Sequence, residues 1–160
     1  MRWIALLFWF GICFAAAGIG ARWTAGEING WYSTLKRPAF APPNGVFGPV
    51  WTLLYATMAV AAWLVWQSAD SPLRTWGLAL FLLQLGLNLA WSQIFFRLHA
   101  IGAALAEVIL LWAAIGATMV VFDRVAPSAA YLMAPYWAWV TFATLLNAAF
   151  WRLNPPQRPE

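Results

Sequence analysis

Polar and charged positions are so sparse along this chain that they act as punctuation between five apolar runs, roughly 3–21, 47–66, 75–96, 101–122 and 129–151. Each run is close to the ~20 residues that an α-helix needs to cross about 30 Å of hydrocarbon. The predicted fold is all-α: a five-transmembrane-helix bundle forming one domain over 1–160, with a long structured loop between helices one and two. Inside the runs, the polar residues fall in stripes. Gln84, Asn88, Trp91 and Phe95 are spaced i, i+4, i+7 and i+11, one face of the third helix. Trp51, Tyr55, Met58 and Ala62 make a second stripe, and Tyr136, Val140, Ala143 and Asn147 a third, with Trp139 on its shoulder. Amides facing lipid are costly, so these stripes should turn inward. Three converging faces of aromatics and carboxamides would line a cavity with apolar walls and a few orienting polar groups. Taken singly, each feature has a plainer reading, since a membrane Asn or Gln also glues helices together and Trp also marks the interface. The combination favours a cavity, because thirteen Trp in 160 residues exceed what ten helix ends require.

The connection between the first two runs is unusual. From Trp31 to Tyr55 it reads WYSTLKRPAFAPPNGVFGPVWTLLY, with Pro38, Pro42, Pro43 and Pro49 fixing φ and removing backbone donors. The segment is therefore expected to follow a semi-rigid, extended path rather than a continuous helix, as a lid over the cavity. Lys36 and Arg37 lie beside Trp31, Tyr32 and Phe40. Cations next to aromatic faces suit a flat, anionic, conjugated ligand, and they equally suit lipid head groups. Elsewhere Gly26, Asn29 and Gly30 should close helix one, Ser71-Pro72 should separate helices two and three, and Pro127-Ser128 should separate four and five. Short connections predict that helices two to five are antiparallel neighbours in an up-and-down bundle. The tail after Asn154, PPQRPE, should be extended or disordered.

Composition agrees with the spans. The chain is 64% hydrophobic and 9% charged with a mean hydropathy of +0.71, against roughly 25% charged residues in soluble domains, so it is an integral membrane protein. Arg2 before an apolar stretch ending in small residues resembles a secretory signal, but the first run of about 19 residues exceeds the usual 7–15-residue apolar region. Lys and Arg number three on one side (Arg2, Arg74, Arg124) and six on the other (Arg22, Lys36, Arg37, Arg97, Arg152, Arg158). The positive-inside rule then places the N-terminus outside and the C-terminus in the cytoplasm, with the inner membrane as the default for helical spans. The net charge of +4 comes from scattered residues, which points to anionic head groups and not to nucleic acid. Cys13 stands alone, so the chain offers neither an internal disulfide nor a thiolate cluster for metal.

No nucleophile, acid–base pair or metal constellation can be assembled from this inventory. His99 should be solvated or capping, and Asp70 and Asp123 solvated. Glu107, well inside the fourth run, reads as a proton site, a partner for Arg97 or a snorkelling group.

Trp31-Tyr32, Leu35, Pro38, Pro42-Pro43, Phe47, Trp51 and Tyr55 together resemble the signature of the TspO/MBR family, the tryptophan-rich sensory proteins related to the mitochondrial translocator protein or peripheral benzodiazepine receptor. The likeness continues in Leu87-Asn88-Leu89-Ala90-Trp91-Ser92 with Phe95-Phe96, in Pro135-Tyr136-Trp137-Ala138-Trp139, and in Ala143-Thr144-Leu145-Leu146-Asn147. It implies a receptor or sensor that binds porphyrins, haem-like tetrapyrroles, sterols and isoquinoline or benzodiazepine drugs, with no required cofactor and usually as a homodimer. By position Trp51 and Asn88 resemble a pair that contacts a drug carbonyl, and Trp31, Tyr32, Pro42, Pro43, Trp91 and Trp139 resemble pocket or lid positions, with Ala143 beside them. The resemblance also admits porphyrin or lipid transport, and light- and oxygen-dependent porphyrin breakdown with Trp51 and Trp139 as the photochemical candidates. Gly86 with Ala90, and Gly11 with Ala15, are small-xxx-small pairs available for dimer contact. One departure is visible: the Tyr of the sterol-recognition element is missing where Leu146 leads through Ala148 and Phe150 to Arg152.

Overall fold

A computed structural model describes residues 2–155. Helix α1 spans Arg2–Ile28, the short α2 Trp31–Thr34, α3 Asn44–Gln67, α4 Pro72–Ser92, α5 Ile101–Val125 and α6 Pro127–Leu153. α4 continues into a π-helical turn, Gln93–Arg97. Five of these, counting α4 with its π turn, are long and apolar enough to cross a membrane. The chain is an all-α, five-span integral membrane bundle. The tail expectation falls on residues 156–160, outside the described residues.

Boundaries differ from the sequence reading where breakers were given too much weight. α1 runs to Ile28, through Arg22 and Gly26, because a single glycine costs a helix only about 1 kcal/mol. Pro127 does not separate α5 from α6. It opens α6 at its first turn, where its missing N–H is no loss, so Ala126 alone connects the two helices. Between α1 and α3 the expected extended path is interrupted: Trp31–Thr34 is a helical turn, Leu35 to Pro43 is non-helical with a tight turn in which the Ala41 N–H donates to the Pro38 carbonyl at 3.0 Å, and Asn44 begins a regular helix that carries Pro49 in its second turn. There Pro49 forfeits only the bond that would reach the Gly45 carbonyl.

The order of packing also differs from a sequential up-and-down bundle. The spans close a ring, α1–α3–α6–α5–α4 and back to α1, in which α3 packs mainly between α1 and α6 and only sparsely against α4. Proximity in sequence fixes which helices are antiparallel, but the faces that carry the interior stripes decide which ones touch.

At one end of the ring, large buried side chains fill the interior. Trp9, Phe81 and Phe122 are buried, with Phe81 stacked on Phe122 at 6.0 Å and set edge-on to Trp9 at 5.7 Å. Arg2 and Trp63 fasten that end: the Trp63 indole donates to the Arg2 carbonyl at 3.0 Å, and Arg2 Nε donates to Gln67 Oε1 at 2.7 Å.

Candidate functional site: a cavity at the open end of the bundle

Toward the other end, the ring encloses a cavity of about 610 Å³ walled by α1, α3, α4 with its π turn, and α6, with Tyr32 of α2 as a cover. α5 contributes no wall; it backs α4 and α6 from outside. The three interior stripes meet here. Tyr55 donates its hydroxyl to Asn88 Oδ1 at 2.7 Å, Asn88 Nδ2 donates to the Tyr136 hydroxyl oxygen at 3.0 Å, and Tyr136 donates to Gln84 Oε1 at 3.0 Å. This chain ties α3, α4 and α6 together in a low-dielectric interior, where an unmade hydrogen bond is expensive. It ends on Gln84 Nε2, which is buried without a protein partner. At the cavity end, the Tyr55 oxygen and the second Asn88 Nδ2 hydrogen remain available to a ligand.

The pocket tryptophans divide into two kinds. Trp91 donates its indole N–H to Asn147 Oδ1 at 3.0 Å, and Asn147 Nδ2 donates to the Ile101 carbonyl at 3.0 Å, so both groups brace the wall. Trp63, Trp112 and Trp137 likewise spend theirs within the protein. Trp51 and Trp139 line the cavity and have no protein acceptor among the described residues. Trp51 packs against Tyr55 at 5.6 Å and Tyr136 at 6.2 Å, which fixes its ring while leaving its N–H to whatever enters.

The cover is clamped. Tyr32 packs among Phe95, Phe96 and Phe150 with ring centroids 5.4–6.3 Å away. Two consecutive residues of the π turn, Phe95 and Phe96, are both buried in this cluster. Asn154, just past α6, accepts from the Lys36 N–H at 2.9 Å and donates to the Lys36 carbonyl at 3.0 Å. Arg37 donates to Asn44 Oδ1 and to the Pro42 carbonyl, each at 2.9 Å, and lies over the Tyr32 ring at 5.6 Å. Burial pushes the Tyr32 phenol above its ordinary pKa, an effect the Arg37 charge opposes.

Of the residues singled out from sequence, Tyr32, Trp51, Asn88, Trp91, Trp139 and Ala143 line the cavity. Trp31, Lys36, Arg37, Pro42 and Pro43 do not; they form the clamp and the outer layer of the cover. Trp31 stacks on His99 at 4.1 Å with an interplanar angle of 13°, and His99 Nε2 lies 3.1 Å from Glu27 Oε2. His99 is exposed, as expected, but its ring is held by these two contacts and caps no helix. It takes a left-handed φ of 53° to join the ends of α1, α2 and the π turn. Glu107 does not pair with Arg97, which lies over Trp23 at 5.9 Å; both Glu107 carboxyl oxygens are buried without a hydrogen-bond partner among the described residues. The sequence reading missed the α1 wall, built from Phe14, Gly18, Ala21 and Ala25 among others. Its signal is a small-residue stripe at i, i+3 and i+7 from Gly18, hard to separate from a helix-packing face.

Five apolar spans, four of them walling an aromatic cavity, define a polytopic membrane protein. The chain belongs to the TspO/MBR family, whose sequence model matches residues 9–152. It is 37% identical over 156 residues to the tryptophan-rich protein TspO of Chlorobaculum tepidum, covering 95% of this chain and 97% of that one. It is 41% identical over 138 residues to the human translocator protein, covering 85% and 82%. With the tryptophan-rich sensory protein of Cereibacter sphaeroides it shares 38% identity over 160 residues, covering 100% and 97%.

Proposed function

We propose that this protein is a membrane receptor or sensor that binds tetrapyrroles, porphyrin or haem-like, and benzodiazepine- or isoquinoline-type ligands in the cavity beneath the α2 cover. The observation that carries this reading is the pairing of a cavity of about 610 Å³ with two unspent indole N–H groups, on Trp51 and Trp139, and with Asn88 between them and the buried polar chain. A cavity of this size falls within the ~300–1,000 Å³ of drug-sized sites. Flat conjugated rings pack on Trp51, Trp91 and Trp139, and Trp51 with Asn88 orients a ligand acceptor. Lys36 and Arg37, at the outer edge of the cover, take carboxylates that project from the rim. Ala143 sets the depth of the α6 wall.

In this reading the protein sits in the inner membrane with its N-terminus outside and its C-terminus and α2 cover in the cytoplasm. It pairs as a homodimer through small residues such as Gly86 with Ala90, or Gly11 with Ala15. Gly86 and Gly11 support this, since an added Cβ at either meets nothing within 4 Å. Sterols and lipids are further ligands of the same cavity.

Titration with protoporphyrin in the dark, read by tryptophan fluorescence, tests the site. Trp51→Ala and Asn88→Ala should each weaken binding about tenfold or more, the equivalent of one hydrogen bond. Binding as tight as the parent's in both variants would mean that the ligand sits elsewhere. Repeating the titration under illumination separates binding from porphyrin breakdown, which would give a product spectrum that disappears in Trp51→Phe or Trp139→Phe.

A second reading, transport, draws on Glu107, whose carboxyl oxygens have no partner. An intramembrane acid of this kind is a natural proton-loading point. Porphyrin flux into proteoliposomes that responds to a pH gradient, and loses that response in Glu107→Gln, would support it; flux indifferent to both would remove it.

A further inference from the structure

We propose that the cavity is loaded sideways from the bilayer, through a portal between α1 and α3, by ligands already dissolved among the acyl chains. The proposal rests on the reading of the cavity as a ligand site and adds its route of entry.

The two helices are antiparallel and behave differently along their length. At the end where Trp3 stacks on Trp63 they are fastened, and α3 buries seven residues between Leu54 and Val65. From Asn44 to Leu53, the half of α3 that borders the cavity, it buries none. Here Gly45, Gly48 and Pro49 put no large side chain on α3. On the facing side α1 presents Gly18, Ala21 and Ala25. All of these line the cavity except Pro49, and every one of them is exposed rather than packed. A wall built from small, unpacked residues on both helices is the easiest part of the ring to part. A Cβ added at Gly18, Gly45 or Gly48 would meet nothing within 4 Å, so these positions face open space and not a packed seam.

The rim has the chemistry of a lipid-facing opening. Its two hydroxyls are turned back on their own helices: Thr24 donates to the Gly20 carbonyl and Thr52 to the Gly48 carbonyl, each at 2.9 Å. Among the described residues, no side-chain hydrogen bond joins α1 from Phe14 onward to α3 before Tyr55. The aqueous route past α2 is the opposite case. It is held by the two Asn154–Lys36 bonds, by the two Arg37 bonds and by the Tyr32 aromatic cluster, all of which an entering ligand would have to break. Passage between α1 and α3 breaks none of them. A ligand that partitions into the membrane reaches the portal already concentrated and desolvated, and only its polar edge must find Trp51 and Asn88.

Two measurements on one set of variants test this. Gly18→Leu with Gly48→Leu fills the portal from positions that have room; Asn154→Ala loosens the cover. In lipid vesicles, stopped-flow fluorescence with protoporphyrin should show association and dissociation both slowed by the double substitution, because a blocked gate hinders exit as well as entry, whereas mere crowding of the cavity would speed dissociation. Asn154→Ala should leave both rates unchanged. Independently of any porphyrin, protein with labelled alanine methyls in phospholipid nanodiscs should give acyl-chain contacts to the Ala143 methyl by nuclear Overhauser spectroscopy, and the double substitution should abolish them. Rates untouched by Gly18→Leu/Gly48→Leu but raised by Asn154→Ala would overturn the portal while leaving the site intact. Absence of acyl contacts at Ala143 in the parent would overturn it as well. If protoporphyrin fails to bind the parent yet the acyl contacts appear and respond to the double substitution, the portal stands and the tetrapyrrole reading falls.

Discussion

Where Arg2 meets Gln67, the bundle packs Trp9, Phe81, Phe122, Met58 and Val65 into a solid end; some four turns away, the same helices hold apart around empty space. Apolar residues dominate both regions, so hydrophobicity does not distinguish them. Close packing and polar groups that border open space do. At the closed end large rings face each other and Gly77 lets α4 approach α5 so closely that an added Cβ would lie 3.1 Å from Val121 and 3.3 Å from Phe122. At the open end Gly18, Gly45 and Gly48 face nothing within 4 Å, and the polar groups of Tyr55, Asn88, Trp51 and Trp139 keep unspent capacity. A bundle can thus reserve a cavity by placing small residues on part of its wall and bracing the rest with a polar chain.

That contrast can be broken in graded steps. Phe81→Ala should be the most damaging, costing about 3–5 kcal/mol through the cavity left between Trp9 and Phe122; thermal unfolding in detergent would show it as a large fall in Tm. Gly77→Ala should cost about 1–3 kcal/mol by overpacking against Phe122. Tyr136→Phe removes one donor and one acceptor from the buried chain and should cost about 1 kcal/mol, since interhelical hydrogen bonds in membranes are individually modest. Gly48→Ala should act in the opposite direction, stabilising α3 by about 0.5–1 kcal/mol, because helix propensity improves and the new methyl meets no neighbour. Equal and unfavourable effects of the two glycine substitutions would mean that the ends do not differ in packing.

Much of this was legible from the sequence. The five spans follow from the apolar runs, and the stripes on helices two, three and five put Trp51, Asn88, Trp91, Trp139 and Ala143 around one space. The ring order was not legible, because it depends on how three faces satisfy one another rather than on chain proximity. Nor was the clamp: Lys36 and Asn154 are 118 residues apart and neither has a local pattern that announces the other. The π turn has no composition signal, yet it carries Phe95 and Phe96, both buried under the cover. The prolines misled in one respect, since Pro49 and Pro127 lie inside helices at positions where the missing N–H costs little.

The central claim is that the open end holds ligand through donors the fold leaves unspent. The most direct measurement compares protoporphyrin affinity in Trp51→Phe, which keeps a ring and loses the N–H, with that in Trp66→Phe at the closed end. A weakening of about tenfold at Trp51, with Trp66→Phe within about twofold of the parent, is the predicted result. Equal affinities in the two variants would contradict it.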